Sequence, residues 1–139
     1  MSATDRFELR PIGRVHSVLK QRKGAPRQGY EGAPDAWIEL DPQYLPALHL
    51  MAEGDEIIIL TWLHESRRET LQVHPGQDPG APLTGVFATR SPDRPNPIGM
   101  HRVTLLAIKD GTRLHVEPLE AIDGTPVVDI KPVLGRAES

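Results

Sequence analysis

The chain predicts a mainly β fold, a small antiparallel or mixed β-barrel with one short helix. Three observations carry this. Seven or eight short apolar segments of strand length are separated by turn residues. Only one segment has helical spacing. Twelve glycines and fourteen prolines in 139 residues cut the chain too often for long helices. The whole chain, 1–139, reads as a single domain, long enough to bury its own core without staples.

Taken in order, Phe7 to Val18 carries apolar residues at Phe7, Leu9, Ile12, Val15 and Val18, broken by Pro11 and Gly13, and reads as a bent strand at a sheet edge. Lys20 to Pro34 is polar, with Gly24, Pro26, Gly29, Gly32 and Pro34. A structureless loop of that length in a compact domain is usually functional. Ala36 to Leu40 is a strand. Asp41-Pro42 then offers an N-cap and a first-turn proline to a short helix carrying Tyr44, Leu45, Leu48 and Met51, closed by Gly54. Glu56 to Leu63 is a buried strand built on Ile57, Ile58, Ile59 and Leu60. Short strands are predicted at Thr70–His74, Val86–Thr89, Val103–Ile108, Leu114–Val116 and Val127–Ile130. Asp110-Gly111 and Asp123-Gly124 have the chemistry of turns that need positive φ.

The densest segment is Arg90-Ser91-Pro92-Asp93-Arg94-Pro95-Asn96-Pro97-Ile98-Gly99. Three prolines fix φ and push the residues before them out of the helical region, so the stretch is a stiff loop. Stiffness has a use if the loop presents Arg90, Arg94 and Asn96 to a ligand, because preorganised donors lose little entropy on binding.

Composition removes several classes of chemistry. Without cysteine there is no disulfide framework and no thiolate site, and the longest strongly apolar run, Ile57 to Leu60, is far too short to span a membrane. The polar N-terminus and these features predict a cytoplasmic protein with no membrane partner. A net charge of −3 is not the global signature of a nucleic-acid binder, so any such role rests on local cations such as Lys20, Arg22, Lys23, Arg27, Arg90, Arg94 and Arg102. No glycine pattern marks a dinucleotide or P-loop site, and no serine sits in a nucleophile elbow. The six histidines lack ligand spacing, so no metal is expected. What remains is a set of polar clusters at predicted strand ends, which in a barrel converge on a rim.

Pro26-Arg27-Gln28, Thr61-Trp62-Leu63-His64, Gly85-Val86-Phe87-Ala88-Thr89-Arg90-Ser91-Pro92 with Arg94-Pro95-Asn96-Pro97-Ile98-Gly99, and Asp123-Gly124-Thr125-Pro126 with Asp129-Ile130-Lys131-Pro132 together resemble the TsaA-like (TrmO, YaeB-like) family. That family's named activity is methylation of N6-threonylcarbamoyladenosine beside the tRNA anticodon. The resemblance runs from about Pro11 to Pro132 and implies a non-Rossmann barrel that binds S-adenosyl-L-methionine, commonly as a homodimer, with tRNA as partner. By motif position it implies a cofactor site of Pro26, Arg27, Gln28, His64, Glu65, Arg90, Met100, Ile122, Asp123, Gly124 and Thr125. Asp129 and Lys131 would then stand on the substrate side as catalytic residues, the first accepting a proton and the second stabilising a carbamoyl oxygen.

Residue types suit such a ligand. An arginine fork clamps a carboxylate, and Asp123 or the Gln28 carbonyl accepts from ribose hydroxyls. The chain departs from the family pattern at Asp55-Glu56, where many relatives have Ser-His, and at Met100-His101, where they have Leu-Ser. Two alternatives therefore stand beside the tRNA reading: a methyltransferase of the same fold acting on a small molecule or another RNA, and a non-catalytic module that binds the cofactor.

Overall fold

The computed structural model describes residues 4–22 and 32–135. Its strands are β1 (Gly13–His16), β2 (Ala36–Leu40), β3 (Glu56–Trp62), β4 (Gln72–Val73), β5 (Thr84–Gly85), β6 (Ile98–Lys109), β7 (Arg113–Glu117) and β8 (Pro126–Pro132). Six of them close a barrel in the order β1-β2-β7-β6-β3-β8, every pairing antiparallel, while β4 and β5 form a separate two-stranded ribbon.

Alternation along the strands explains the closure. Val15, Ile38, Ile57, Ile59, Val103, Leu105, Leu114, Val116 and Val127 point inward and form one continuous core, with Leu119 and Ala121 adding to it from the β7–β8 connection. Burying an aliphatic side chain of this size contributes about 1.5–3 kcal/mol, and a barrel this narrow is filled by side chains. Gly13 is needed where β1 crosses β2, since a Cβ there would run into the Glu39 carbonyl. Two register shifts, at Leu60/Thr61 against β8 and at Leu105/Ala107 against β7, let the long β6 and its neighbours coil around the core.

Several sequence expectations are corrected. The first strand is four residues long and lies between β2 and β8, so it is not an edge; only two residue pairs join it to β8. The helix after Asp41 is a 3₁₀ helix, Pro42–Leu48. Asp41 caps it by accepting from the Gln43 amide, Pro46 lies inside it with no backbone N–H to donate, and Leu50 at φ 72° ends the turn before Gly54. Val86–Ala88 is a 3₁₀ turn where a strand is predicted: the Thr89 amide and hydroxyl both return to the Val86 carbonyl, which curls the segment. The strand predicted from Val103 begins at Ile98 instead. Asp110 and Gly111, at φ 50° and 81°, make the predicted tight turn between β6 and β7.

Register decides where the loops go. His16, Ala36, Trp62, Ile98, Glu117 and Pro126 all end or begin their strands at one mouth of the barrel. The connections β1–β2, β3–β6 and β7–β8 therefore share that mouth. The other end carries the 3₁₀ helix and the short β6–β7 turn. Among the described residues no helix is long and apolar enough to cross a membrane.

Candidate functional site at the loop-bearing mouth

The sequence-predicted residues divide by position. Pro26, Arg27 and Gln28 lie outside the described residues. His64, Glu65 and Arg90 are on the β3–β6 connection, Met100 is the third residue of β6, and Ile122 to Thr125 form the turn before β8; all of these lie at the loop-bearing mouth. Asp129 and Lys131 sit farther down β8, on the outer wall, opposite Leu60 and Ile58 of β3.

The 35-residue β3–β6 connection is ordered from within by arginines. The Arg94 guanidinium donates to three carbonyls, those of Ser91 (2.8 Å), Val86 (2.6 Å) and Thr89 (2.6 Å). Arg68 donates from Nε to the Pro95 carbonyl at 2.7 Å and from Nη2 to Asn96 Oδ1 at 2.8 Å, with its guanidinium 5.3 Å over the Trp62 ring. Arg22 reaches across from the first loop to the Glu65 carbonyl (2.9 Å) and to Asp93 (3.2 Å), whose carboxylate also takes the Arg67 amide. The stiffness read from the prolines is real, but two of the three residues expected to face a ligand are used differently: Arg94 and Asn96 hold the loop to itself. Arg90 remains exposed, with no side-chain partner among the described residues. His64 and Glu65 are exposed and lie 3.8 Å apart.

The turn at 122–125 is tied to β1. The Asp123 amide donates to the Leu19 carbonyl (2.6 Å) and the Gly124 amide to Val15 (2.7 Å), while Gly124 takes φ 84°. Ile122 and Thr125 are buried, and the Thr125 hydroxyl closes the turn on the Ile122 carbonyl at 2.7 Å. Their side chains thus shape the turn, and Asp123 is the side chain it presents. One Asp123 oxygen accepts from the Ser17 amide at 3.0 Å, and the other lies 3.1 Å from Lys20 Nζ.

Asp123 also borders an open cleft of about 430 Å³ that His16, Ser17, Lys20, Asp35 and Trp37 help to line. A second cavity, about 520 Å³, lies at the opposite end between Leu45, Leu48, Leu50 and Ile108. Its lining is largely apolar and far from every predicted site residue, so the smaller polar cleft is the better candidate.

The Ser17 amide, and after it the Lys20 ammonium, hold the Asp123 carboxyl below the ordinary carboxylate range. The His115 hydrogen bond does the same for Asp35 at the other side of the cleft. Because the folded value lies below the unfolded one, the stability Asp123 contributes is fully present above about pH 3.9 and is lost as pH falls through the lower folded value. Acid unfolding followed by circular dichroism between about pH 5 and 2 should therefore show a shallower acid limb in Asp123→Asn than in wild type. Identical limbs would mean that the carboxylate carries no such linkage.

Beneath the mouth lies a polar chain that the sequence did not reveal. Thr61 of β3, His101 of β6 and Glu120 of the β7–β8 connection are joined by Thr61 Oγ1 to His101 Nε2 at 2.7 Å and His101 Nδ1 to Glu120 Oε1 at 2.5 Å. Its partners are separated by 40 and 19 residues, so no local spacing could have shown it. Among the described residues no group of three or more His, Cys, Asp or Glu is arranged to hold a metal ion.

Comparison with known proteins agrees with this architecture. A profile described as the tRNA-methyltransferase O N-terminal domain matches residues 14–139. A probable S-adenosyl-L-methionine-binding protein of Methanothermobacter thermautotrophicus is 42% identical over 126 residues, covering 91% of this chain and 89% of the relative. An S-adenosyl-L-methionine-binding protein of Archaeoglobus fulgidus is 43% identical over 124 residues, covering 88% and 86%. The crystal structure of TrmO from Pseudomonas aeruginosa superposes with a TM-score of 0.74 at 30% identity, covering 94% of this chain but 57% of that one. The chain thus spans nearly all of those two archaeal relatives and a little over half of the TrmO structure. With the closed barrel and a match over nearly its whole length, the chain belongs to the tRNA-methyltransferase O N-terminal domain family.

Proposed function

We propose that this chain binds S-adenosyl-L-methionine at the loop-bearing mouth and transfers its methyl group to N6 of N6-threonylcarbamoyladenosine beside the anticodon of tRNA, as a homodimer in the cytoplasm. The observation that carries the reading is that three connections leave the barrel at one mouth, the β3–β6 one braced by its own arginines, which brings His64, Glu65, Arg90, Met100 and Asp123 to the same end of the barrel.

The residues present fit the cofactor's chemistry. Arg90 offers an exposed guanidinium to a carboxylate, and the Asp123 carboxylate, which takes the Ser17 amide on one oxygen and faces Lys20 at the surface with the other, has lone pairs left to accept from ribose hydroxyls. The cleft volume is in the range of small-molecule sites. When bound, the cofactor supplies a methyl group already activated on a sulfonium. The chain is then left with alignment, water exclusion and removal of one proton from the acceptor nitrogen. Asp129 is the proposed proton acceptor. Its carboxylate is 3.2 Å from Lys131 Nζ and stands in register with Leu60, the outward neighbour of Met100 on β6.

For the RNA, support comes from cations gathered at the same mouth in a chain of net charge −3. Arg22, Arg67 and Arg68 surround the 93–96 segment, with Arg90 three residues upstream. Arg67 uses its backbone amide for Asp93 and has no side-chain partner among the described residues. Neutralising phosphates releases counterions, so Arg67→Ala should reduce the slope of log K against log salt for anticodon stem-loop RNA by about 0.7–0.9, with equal loss across sequences. An unchanged slope would remove Arg67 from the RNA contact.

The deciding test is incubation of the protein with labelled S-adenosyl-L-methionine and total tRNA lacking the modification, followed by digestion and identification of the labelled nucleoside. Label in methylated N6-threonylcarbamoyladenosine is the expected result. Cofactor binding without transfer would favour a binding module, and turnover without RNA a small-molecule acceptor.

A further inference from the structure

The Thr61–His101–Glu120 chain is almost wholly enclosed: Thr61 is 0% and His101 5% exposed, and the Glu120 side chain 11%. A buried ionisable pair is weak as a stabiliser, since well-packed apolar residues serve as well. What it provides is a fixed geometry, because each member has one satisfactory arrangement in a low-dielectric interior. With Glu120 as carboxylate, His101 donates from Nδ1 to Oε1 and accepts at Nε2 from the Thr61 hydroxyl.

Its placement in the chain says what is being fixed. Thr61 is three residues before His64, His101 directly follows Met100, and Glu120 is two residues before Ile122. Each member thus lies at the root of one of three segments assigned above to the cofactor site. Gly99 leaves room for the chain: a Cβ there would lie 2.5 Å from Thr61 Oγ1 and 2.7 Å from His101 Nε2. A single methyl group would therefore push the hydrogen bond apart without removing any polar member.

We infer that Thr61, His101 and Glu120 are positioning residues for the cofactor site, setting the distances between the β3 end, the β6 start and the 118–125 connection. This rests on the proposed function. The chain touches no ligand and acts through Met100, His64 and the Asp123 turn.

Two readouts test it on the full chain. Calorimetric titration with S-adenosyl-L-methionine should show affinity about tenfold weaker in Glu120→Ala and in Gly99→Ala. Glu120→Gln should restore it to within about twofold, because the amide oxygen still accepts from His101 Nδ1. Hydrogen exchange without ligand should speed up at residues 121–125 in the two weakened variants and stay unchanged at residues 41–55 at the far end. Glu120→Met, which fills a similar volume without an acceptor for His101 Nδ1, should stay about tenfold weak, whereas a role limited to packing would restore affinity in Met as well as in Gln. Wild-type affinity in Glu120→Ala, or equal weakness in Glu120→Gln and Glu120→Ala, overturns the inference, as does unchanged exchange at 121–125. Failure of the wild-type protein to bind the cofactor would instead overturn the proposed function, and the exchange arm would still decide whether the chain holds the connection.

Discussion

Arg94→Ala should lower the thermal midpoint by about 10 °C and weaken cofactor binding at least about tenfold, the largest loss expected from any surface-loop substitution here. The argument is local. One guanidinium bonds three carbonyls within the turn that runs from Val86 to Ser91, and those bonds are what close the turn around the side chain. A hydrogen bond from a charged donor is worth about 1.5–3 kcal/mol. The site is only part-buried, so water would replace some of what is lost, and the net cost falls to about 2–4 kcal/mol. Arg94→Lys should rescue little, because one ammonium on a flexible stem cannot reach three carbonyls arranged for a planar fork. Differential scanning calorimetry and cofactor titration read both effects. A midpoint within about 2 °C of wild type would show that the prolines alone hold the loop.

That segment also shows where sequence reasoning succeeds and where it stops. Proline acts on its own and its neighbour's backbone, so rigidity is written locally and the stiff loop was legible. Which way an arginine points depends on carbonyls brought near by the 3₁₀ turn at Val86–Ala88, and that turn has the local signature of a strand because Val and Phe are β-rich.

The barrel was legible for the same local reason. Period-two alternation and Asp-Gly turn chemistry survive in short windows, and Ala36–Leu40 matches its expected bounds while the β3 and β7 expectations differ by no more than a residue at either end. The part β1 plays in closing the barrel was not legible. β1 has only Gly13 and Arg14 paired to β8, too little for any pattern to signal, so it read as an edge. The resemblance placed His64, Arg90, Met100 and Asp123 at one mouth, but it could not show that Ile122 and Thr125 are buried. The Thr61–His101–Glu120 chain is invisible to any linear reading, since its members share no spacing and each alone is an ordinary residue of its strand or connection.

The second large effect concerns chemistry rather than folding. Asp129→Asn should lower the rate of methyl transfer about 100-fold at saturating substrates, the lower end of what a general base contributes, while cofactor affinity stays within about twofold of wild type. Asp129 can be lost without structural cost. It is half-exposed on the outer wall, its Oδ1 takes only the adjacent Ile130 amide at 2.9 Å, and its ion pair with Lys131 is a surface pair worth little. Asparagine keeps the Oδ1 acceptor, so β8 and its register with β3 remain. What it removes is the ability to take a proton, and that step enters kcat rather than binding. Lys131→Ala offers a control in the opposite sense. Removing the ammonium leaves the carboxylate free of its partner, so a base role predicts that turnover survives better in Lys131→Ala than in Asp129→Asn. Single-turnover measurement with pre-bound cofactor isolates the transfer step. Equal rates for wild type and Asp129→Asn would leave alignment at the mouth as the whole of catalysis and reduce Asp129 and Lys131 to a strand-end ion pair.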